Sequence, residues 1–191
     1  MQIKTIAAII SSMTLAAGTL SAAPAEDTSM QEAKALIQAF ASELKGNLQT
    51  AVKEGGFPAG IEVCSVKAPG IAAAKSVDGW QVSRTSLKPR NPANTPETWE
   101  REVLRHFEER LARGEPISDL VFKEVAMQDG VEEFRFMKAI PTQQMCLGCH
   151  GSALSAEVQK VLDERYPEDQ AKGYKVGQIR GAFSLRQSLS N

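Results

Sequence analysis

Residues 146–150 read Cys-Leu-Gly-Cys-His, and this pentapeptide holds two of the chain's three cysteines and one of its two histidines. C-x-x-C-H is the pattern of covalent haem attachment. Two thiols at that spacing can add across the two vinyl groups on one edge of a porphyrin. The next residue, His150, is then held under the ring, where its imidazole can ligate iron. Gly148 takes away a side chain where the backbone turns close to that ring. With two histidines in all, sites built on three or more imidazoles are excluded. Three other readings compete. A zinc site needs two further ligands, which Cys64 and His106 could formally supply. A thioredoxin-like redox pair wants its C-x-x-C opening a helix in a βαβ unit. A structural disulfide leaves the histidine unexplained.

The first 25 residues read as an address. Lys4 gives a weakly positive start, Ile6 to Leu20 is apolar apart from Ser, Thr and Gly, and Ala23-Pro24-Ala25 precedes Glu26 in the A-x-A cleavage pattern. The apolar run falls short of the roughly 20 residues a membrane-spanning helix needs. A cleaved secretory signal peptide over 1–25 is therefore expected, leaving one periplasmic domain over 26–191 with no membrane insertion after cleavage. Covalent haem attachment also takes place outside the cytoplasm. The 22 Lys plus Arg are matched by 23 Asp plus Glu, for a net charge of −1. That balance lacks the basic field of a nucleic-acid partner, so none is expected.

Ser29 with Glu32 has the spacing of a capping box, and Ala33, Leu36, Ile37, Phe40, Leu44, Leu48 and Val52 recur at helical spacing behind it. A long N-terminal helix is expected to Lys53, ended by Gly55-Gly56. A short strand is expected over 60–66, a small helix over 68–76 and a strand over 80–86. Three prolines make 87–97 a shaped loop. Trp99, Val103, Phe107 and Leu111 share one face of a second helix ended by Gly114. Strands over 120–127 and 131–140 flank Gln128-Asp129-Gly130, a hairpin signal. Ser155 caps a helix through Arg165, and 179–185 forms a closing strand with Ile179, Phe183 and Leu185 on one side and Gly181 allowing close backbone approach. Consecutive strands joined by a tight hairpin argue for an α+β fold, an antiparallel sheet with helices packed on it.

With His150 on one side of the iron, the sixth ligand decides the chemistry. Met145 abuts Cys146 and cannot easily reach the opposite face. Met127 and Met137 lie on strands, where core packing explains them, and His106 stands among Arg105, Glu108 and Glu109 at the border of an apolar face. Cys64 is the odd cysteine of an exported chain, and from residues alone it reads equally as an iron ligand or a small buried hydrophobe. Arg84, Arg90, Asn91 and Asn94 in the proline-rich stretch could bind haem propionates, since the arginine fork suits carboxylates; turn-fixing residues with solvated arginines explain the stretch equally well. Arg180 is a further propionate candidate. Trp80 and Trp99 read as core.

Several stretches together carry a resemblance: Val63-Cys64, Ala68-Pro69, the run from Arg84 to Pro92 with Asn94 and Trp99-Glu100, the 146–150 motif, and Gly173 to Gly177 leading into Arg180-Gly181-Ala182-Phe183-Ser184. The chain resembles the Tll-type haem domain, a family of small c-type haem proteins with a PAS-like fold, once a domain of unknown function. Its members occur as free exported proteins and as extracytoplasmic modules of sensor kinases. The resemblance covers nearly the whole mature chain. It implies a PAS-like antiparallel sheet and one covalently attached haem c, with iron held by the histidine of the motif, matching His150, and by a distal cysteine, matching Cys64.

A thiolate on iron stabilises the ferric state and lowers the reduction potential. With both axial positions filled, oxygen and peroxide chemistry are disfavoured, and no nucleophile–base pair marks an enzyme. The expectation is a monohaem cytochrome working in one-electron transfer or redox sensing with an unidentified redox partner protein. A gas-ligand sensor binding NO or CO and acting through a membrane-bound signalling partner is the alternative, and a haem peroxidase a weaker third.

Overall fold

The computed structural model describes residues 23–189. The expected leader, up to residue 22, lies outside the described residues. Helix α1 (Ala23–Glu62) begins earlier than the spacing of Ser29 and Glu32 suggested. Ser29 does not cap it. The buried hydroxyl donates to Gln187 Oε1 at 2.6 Å, while Glu32 Oε2 accepts from the Trp80 indole at 3.2 Å. What has the form of a local cap is a tertiary anchor tying the helix to the sheet. The Gly55-Gly56 break is present: both residues leave helical geometry, Gly56 with φ 69°. The chain then winds on at once, with Pro58 tolerated in the first turn of the resumed helix.

The expected strand over 60–66 is not formed. Ile61 stays in α1, and Val63–Lys67 forms a single π-turn leading into α2 (Ala68–Lys75). Ile61 is buried against Val158 and Leu162, so its apolar neighbourhood reflects packing between helices, not alternation across a sheet. Strand β1 (Trp80–Thr85) follows, then the proline-rich stretch with its 3-10 turn at Pro92–Asn94, and α3 (Thr98–Ala112). Strands β2 (Val121–Gln128) and β3 (Val131–Pro141) form the expected hairpin, with Asp129 and Gly130 both at positive φ (52° and 83°), as a two-residue turn requires. A short helix α4 (Leu147–His150), helix α5 (Ala156–Arg165) and strand β4 (Ile179–Ser188) complete the chain, and Ser155 caps α5 by accepting from the Val158 amide.

The sheet is wholly antiparallel in the order β1-β4-β3-β2, so the last strand lies inside it between the first and third. Helices cover both faces. Ala33 and Ile37 of α1 pack on Trp80, Val82, Phe134, Phe136 and Leu185, while Val103, Leu104 and Phe107 of α3 pack on Leu120, Met137, Ala139, Ile179 and Ala182. Opposite packing of two helix stripes on alternate residues of the same strands is what gives the α+β architecture its stability.

One register shift separates Ile179 from Phe183 and Leu185 of the same strand. Ile140 pairs with Gly181 but Pro141 pairs with Ile179, leaving Arg180 as an extra residue. The bulge turns Ile179 onto the α3 face beside Ala182, whereas Phe183 and Leu185 face α1. The three do not share one side as alternation suggested. Next to the bulge, Gly181 lies so close to β1 that a Cβ there would stand 2.4 Å from the Thr85 carbonyl oxygen, so the expected close approach is real.

Candidate functional site

The break in α1 delivers Phe57 and Ile61 to a third apolar cluster, built with Val158, Leu162 and Tyr166 of the α5 region, and Cys149 packs against it. This cluster holds the α4 turn between residues of α1 and α5. The Phe57 ring lies directly over Gly148, where a Cβ would meet it at 2.2 Å. The absent side chain at Gly148 thus makes room for a flat ring, and here that ring is Phe57.

Cys146 and Cys149 are both half-buried free thiols. The Gln143 amide donates to Cys146 Sγ at 3.3 Å. Burial pushes the Cys149 thiol up to about 11, and the nearby Cys64 and Cys146 add to the rise while Arg90 opposes it. Cys64 in the π-turn is therefore electrostatically coupled to the motif, although it comes from a distant part of the chain. It also acts on Arg84 and on the buried Tyr166, whose phenol is raised first by burial and then by Cys64.

His150 is fixed from several directions. Its Nδ1 lies 2.8 Å from the Ala171 carbonyl oxygen, which can only accept, so Nδ1 carries the proton and Nε2 keeps a lone pair. Burial, then Arg180 and Arg90, hold its pKa well below the usual histidine value, against the Ala171 bond that raises it. The His150 carbonyl accepts from the Tyr174 amide at 2.9 Å, and the Tyr174 ring meets the imidazole edge-on at 6.2 Å. The lone pair of Nε2 faces the Arg180 guanidinium, whose Nε is 3.4 Å away.

A cleft of about 100 Å³ opens beside this histidine, with Arg84, Arg90, Arg180, Ser86 and Asn94 among its walls. Among the described residues, neither Arg84 nor Arg180 has a carboxylate at ion-pair distance, and burial lowers the pKa of both. Arg84 lies over the Phe40 ring at 5.4 Å, and Arg180 donates to Ser86 Oγ at 3.1 Å. Two unneutralised cations beside a histidine lone pair form a site for an anionic ligand that also carries a Lewis acid.

Arg90 is used differently from its sequence expectation. It is buried, its Nε donates to Asp169 Oδ1 at 3.1 Å, and its Nη2 donates to the Cys149 and Ala171 carbonyls at 2.6 and 3.2 Å. Asn91 is not in the cleft wall; its side chain accepts from the Ala93 amide and shapes the 3-10 turn. The structure thus joins Cys146, Cys149, His150, Arg84 and Arg180, couples Cys64 to them, assigns Arg90 to the support beneath and leaves Asn91 in a local turn. Asp169 and Ala171 are marked by nothing local in the sequence, and Tyr174 only by the Gly173 to Gly177 stretch of the resemblance; the fold brings 169–174 against the motif.

The other candidates lie elsewhere. His106 is exposed on α3, 3.7 Å from Glu109 and beside Trp99 and Phe122. Among the described residues no group of three or more His, Cys, Asp or Glu is arranged to hold a metal ion, so His106 cannot complete a zinc site with the cysteines. Met137 is fully buried as core, but Met127 is 65% exposed, which corrects its reading as core. Trp80 is core, while Trp99 is half-buried at the edge of the α3 cluster under the guanidinium groups of Arg135 and Arg186. No helix among the described residues is long and apolar enough to cross a membrane.

A family model, Tll0287-like, matches residues 20–188. No curated protein matches the chain. Among solved structures, the crystal structure of the cyanobacterial heme-protein Tll0287 is similar over 88% of this chain and 97% of its own, at 23% identity and a TM-score of 0.58. At that identity the likeness is one of fold.

Proposed function

This chain belongs to the Tll0287-like family, and on that premise we propose that it is an exported monohaem c-type cytochrome, active in one-electron transfer or redox sensing and not in catalysis. The observation that carries the reading is the His150 imidazole, held neutral with its Nε2 lone pair turned toward a cleft whose Arg84 and Arg180 have no acidic partner at ion-pair distance among the described residues. A haem supplies both things this cleft asks for, a metal for the imidazole and two carboxylates for the arginines. When bound, it supplies reversible ferric–ferrous exchange.

The residues fit that group in kind. Cys146 and Cys149 would hold its vinyl edge through thioether bonds, and His150 Nε2 and Cys64 would be the ligands for its iron. Arg84 and Arg180 would take the propionates. The cleft of about 100 Å³ is smaller than a porphyrin, and two side chains stand where room is needed. Arg180 rests against Nε2 through a long contact of 3.4 Å, and the outer end of Phe57 covers Gly148. Both are ends of rotatable side chains, so rotamer changes would clear these two contacts.

Protein made in a host that attaches haem c should keep its colour in a denaturing gel, and Cys146→Ala/Cys149→Ala should lose it. The wild-type ferric spectrum should be low-spin with thiolate character, and Cys64→Ala should move it toward high-spin. An unchanged spectrum in Cys64→Ala removes Cys64 from the iron. Rapid carbon monoxide binding by the reduced wild type replaces the closed electron-transfer site with a gas-binding one.

A further inference from the structure

We propose that Arg90 and Asp169 are positioning residues for His150, setting the direction in which Nε2 points and the electron density it offers. The inference rests on the haem reading for its redox consequence and on the geometry alone for the positioning. Residues 169–174 lie across the motif and are tied to it repeatedly: Tyr174 N donates to the His150 carbonyl and Gly173 N to the Gly151 carbonyl, at 2.9 and 3.0 Å. At the centre is a buried ion pair whose side chains are 7% and 2% exposed.

The pair meets the histidine at both of its attachments. Arg90 Nη2 donates to the Cys149 carbonyl, the peptide group that leads into His150, at 2.6 Å. The same nitrogen donates at 3.2 Å to the Ala171 carbonyl, the acceptor of the imidazole Nδ1–H. Asp169 Oδ1 accepts from Arg90 Nε at 3.1 Å and from the Ala171 amide at 2.8 Å. Backbone entry, ring acceptor and the loop carrying that acceptor therefore share one guanidinium–carboxylate pair. A buried ion pair is weak evidence for stability, because a packed apolar pair does as well. Apolar side chains could not donate to two carbonyls at once, which makes orientation the function the pair can perform.

The charges also act in opposite senses on the ring. A cation on the Ala171 carbonyl draws density from the acceptor that polarises Nδ1–H, so it makes Nε2 a poorer donor; the Asp169 carboxylate offsets this. Asp169→Asn should therefore raise the midpoint potential of the haem-loaded protein, and Arg90→Gln should lower it. Both should broaden the ferric low-spin electron paramagnetic resonance lines, and Arg90→Lys, which keeps the charge without the fork, should restore the potential more than the line shape. In haem-free protein, the His150 Nδ1–H resonance should be sharp in wild type and exchange-broadened in Asp169→Asn. Folded variants with wild-type potential, line shape and Nδ1–H resonance overturn the proposal. If Asp169→Asn does not fold, Asp169→Glu, which keeps the charge but displaces it, is read in its place. A wild type that retains no haem on denaturation defeats the haem reading separately, and the haem-free resonance then decides the positioning by itself.

Discussion

The Nδ1 of His150 and the carbonyl oxygen of Ala171 stand 2.8 Å apart, and that contact fixes which nitrogen of the ring is available. Because burial and Arg180 hold the ring's pKa down, folded protein binds a proton at His150 less readily than the unfolded chain does. The sign follows: this group costs nothing above the unfolded value of about 6.5, and stability falls as pH drops below it. Denaturant midpoints of haem-free protein should decline from pH 7 to pH 5, and His150→Gln should flatten part of that decline. A slope unaffected by the substitution would exclude His150 as its source.

Cys149 should be a sluggish nucleophile in the haem-free protein. With its thiol near 11, its thiolate fraction at pH 8 is small and grows about tenfold per pH unit. Alkylation of haem-free protein followed by peptide mass mapping should show Cys149 reacting slowly at pH 8 and markedly faster at pH 9. Modification at pH 8 as fast as that of an unstructured thiol would contradict the burial.

Gly181→Val should loosen the join between β1 and β4. The first carbon of any side chain would meet the Thr85 carbonyl oxygen at 2.4 Å, and that obstacle is backbone rather than the end of a flexible side chain. Overpacking of this kind costs about 1–3 kcal/mol, read as a lower thermal midpoint. The same substitution at Gly70, where a Cβ meets nothing within 4 Å, carries no such clash and should cost less.

The two strand methionines should behave oppositely. Met137 is 0% exposed in the α3 cluster, so Met137→Ala should cost about 2–5 kcal/mol. Met127 is 65% exposed near the hairpin, so Met127→Ala should change stability by no more than about 0.5 kcal/mol. Chemical denaturation of the two variants beside wild type gives both numbers.

Local chemistry was legible wherever a short stretch determines its own shape. Asp129-Gly130 makes the turn its residues demand, Ser155 caps α5, and Gly181 sits where backbone crowds backbone. The sequence misled where a residue answers to a distant partner. Ser29 and Glu32 have capping spacing, yet Gln187 and Trp80 use them. Ile61 imitates a strand residue because it packs between helices, and Ile179 leaves the side of Phe183 because of one extra residue. At the site, the 146–150 motif was plain and Cys64 stood out by being left over. Arg90 could not be separated from Arg84 by composition, since the partners that distinguish it, Asp169 and the Cys149 and Ala171 carbonyls, are 59 to 81 residues away.

The position of β4 inside the sheet has a consequence for the order of events during folding. The 146–150 pentapeptide is complete in itself and can be presented by an unfolded chain. Its surroundings are not: Ser86 and Arg180, which meet through a 2.9 Å hydrogen bond at the cleft wall, are 94 residues apart in the chain. Neither β1 nor the cleft gains its neighbour until β4 arrives, so the entropy of closing this 94-residue loop is lost before the site exists. On the proposed reading, a haem could therefore join the two thiols early, whereas the cleft that Arg84 and Arg180 line is complete only after the final collapse.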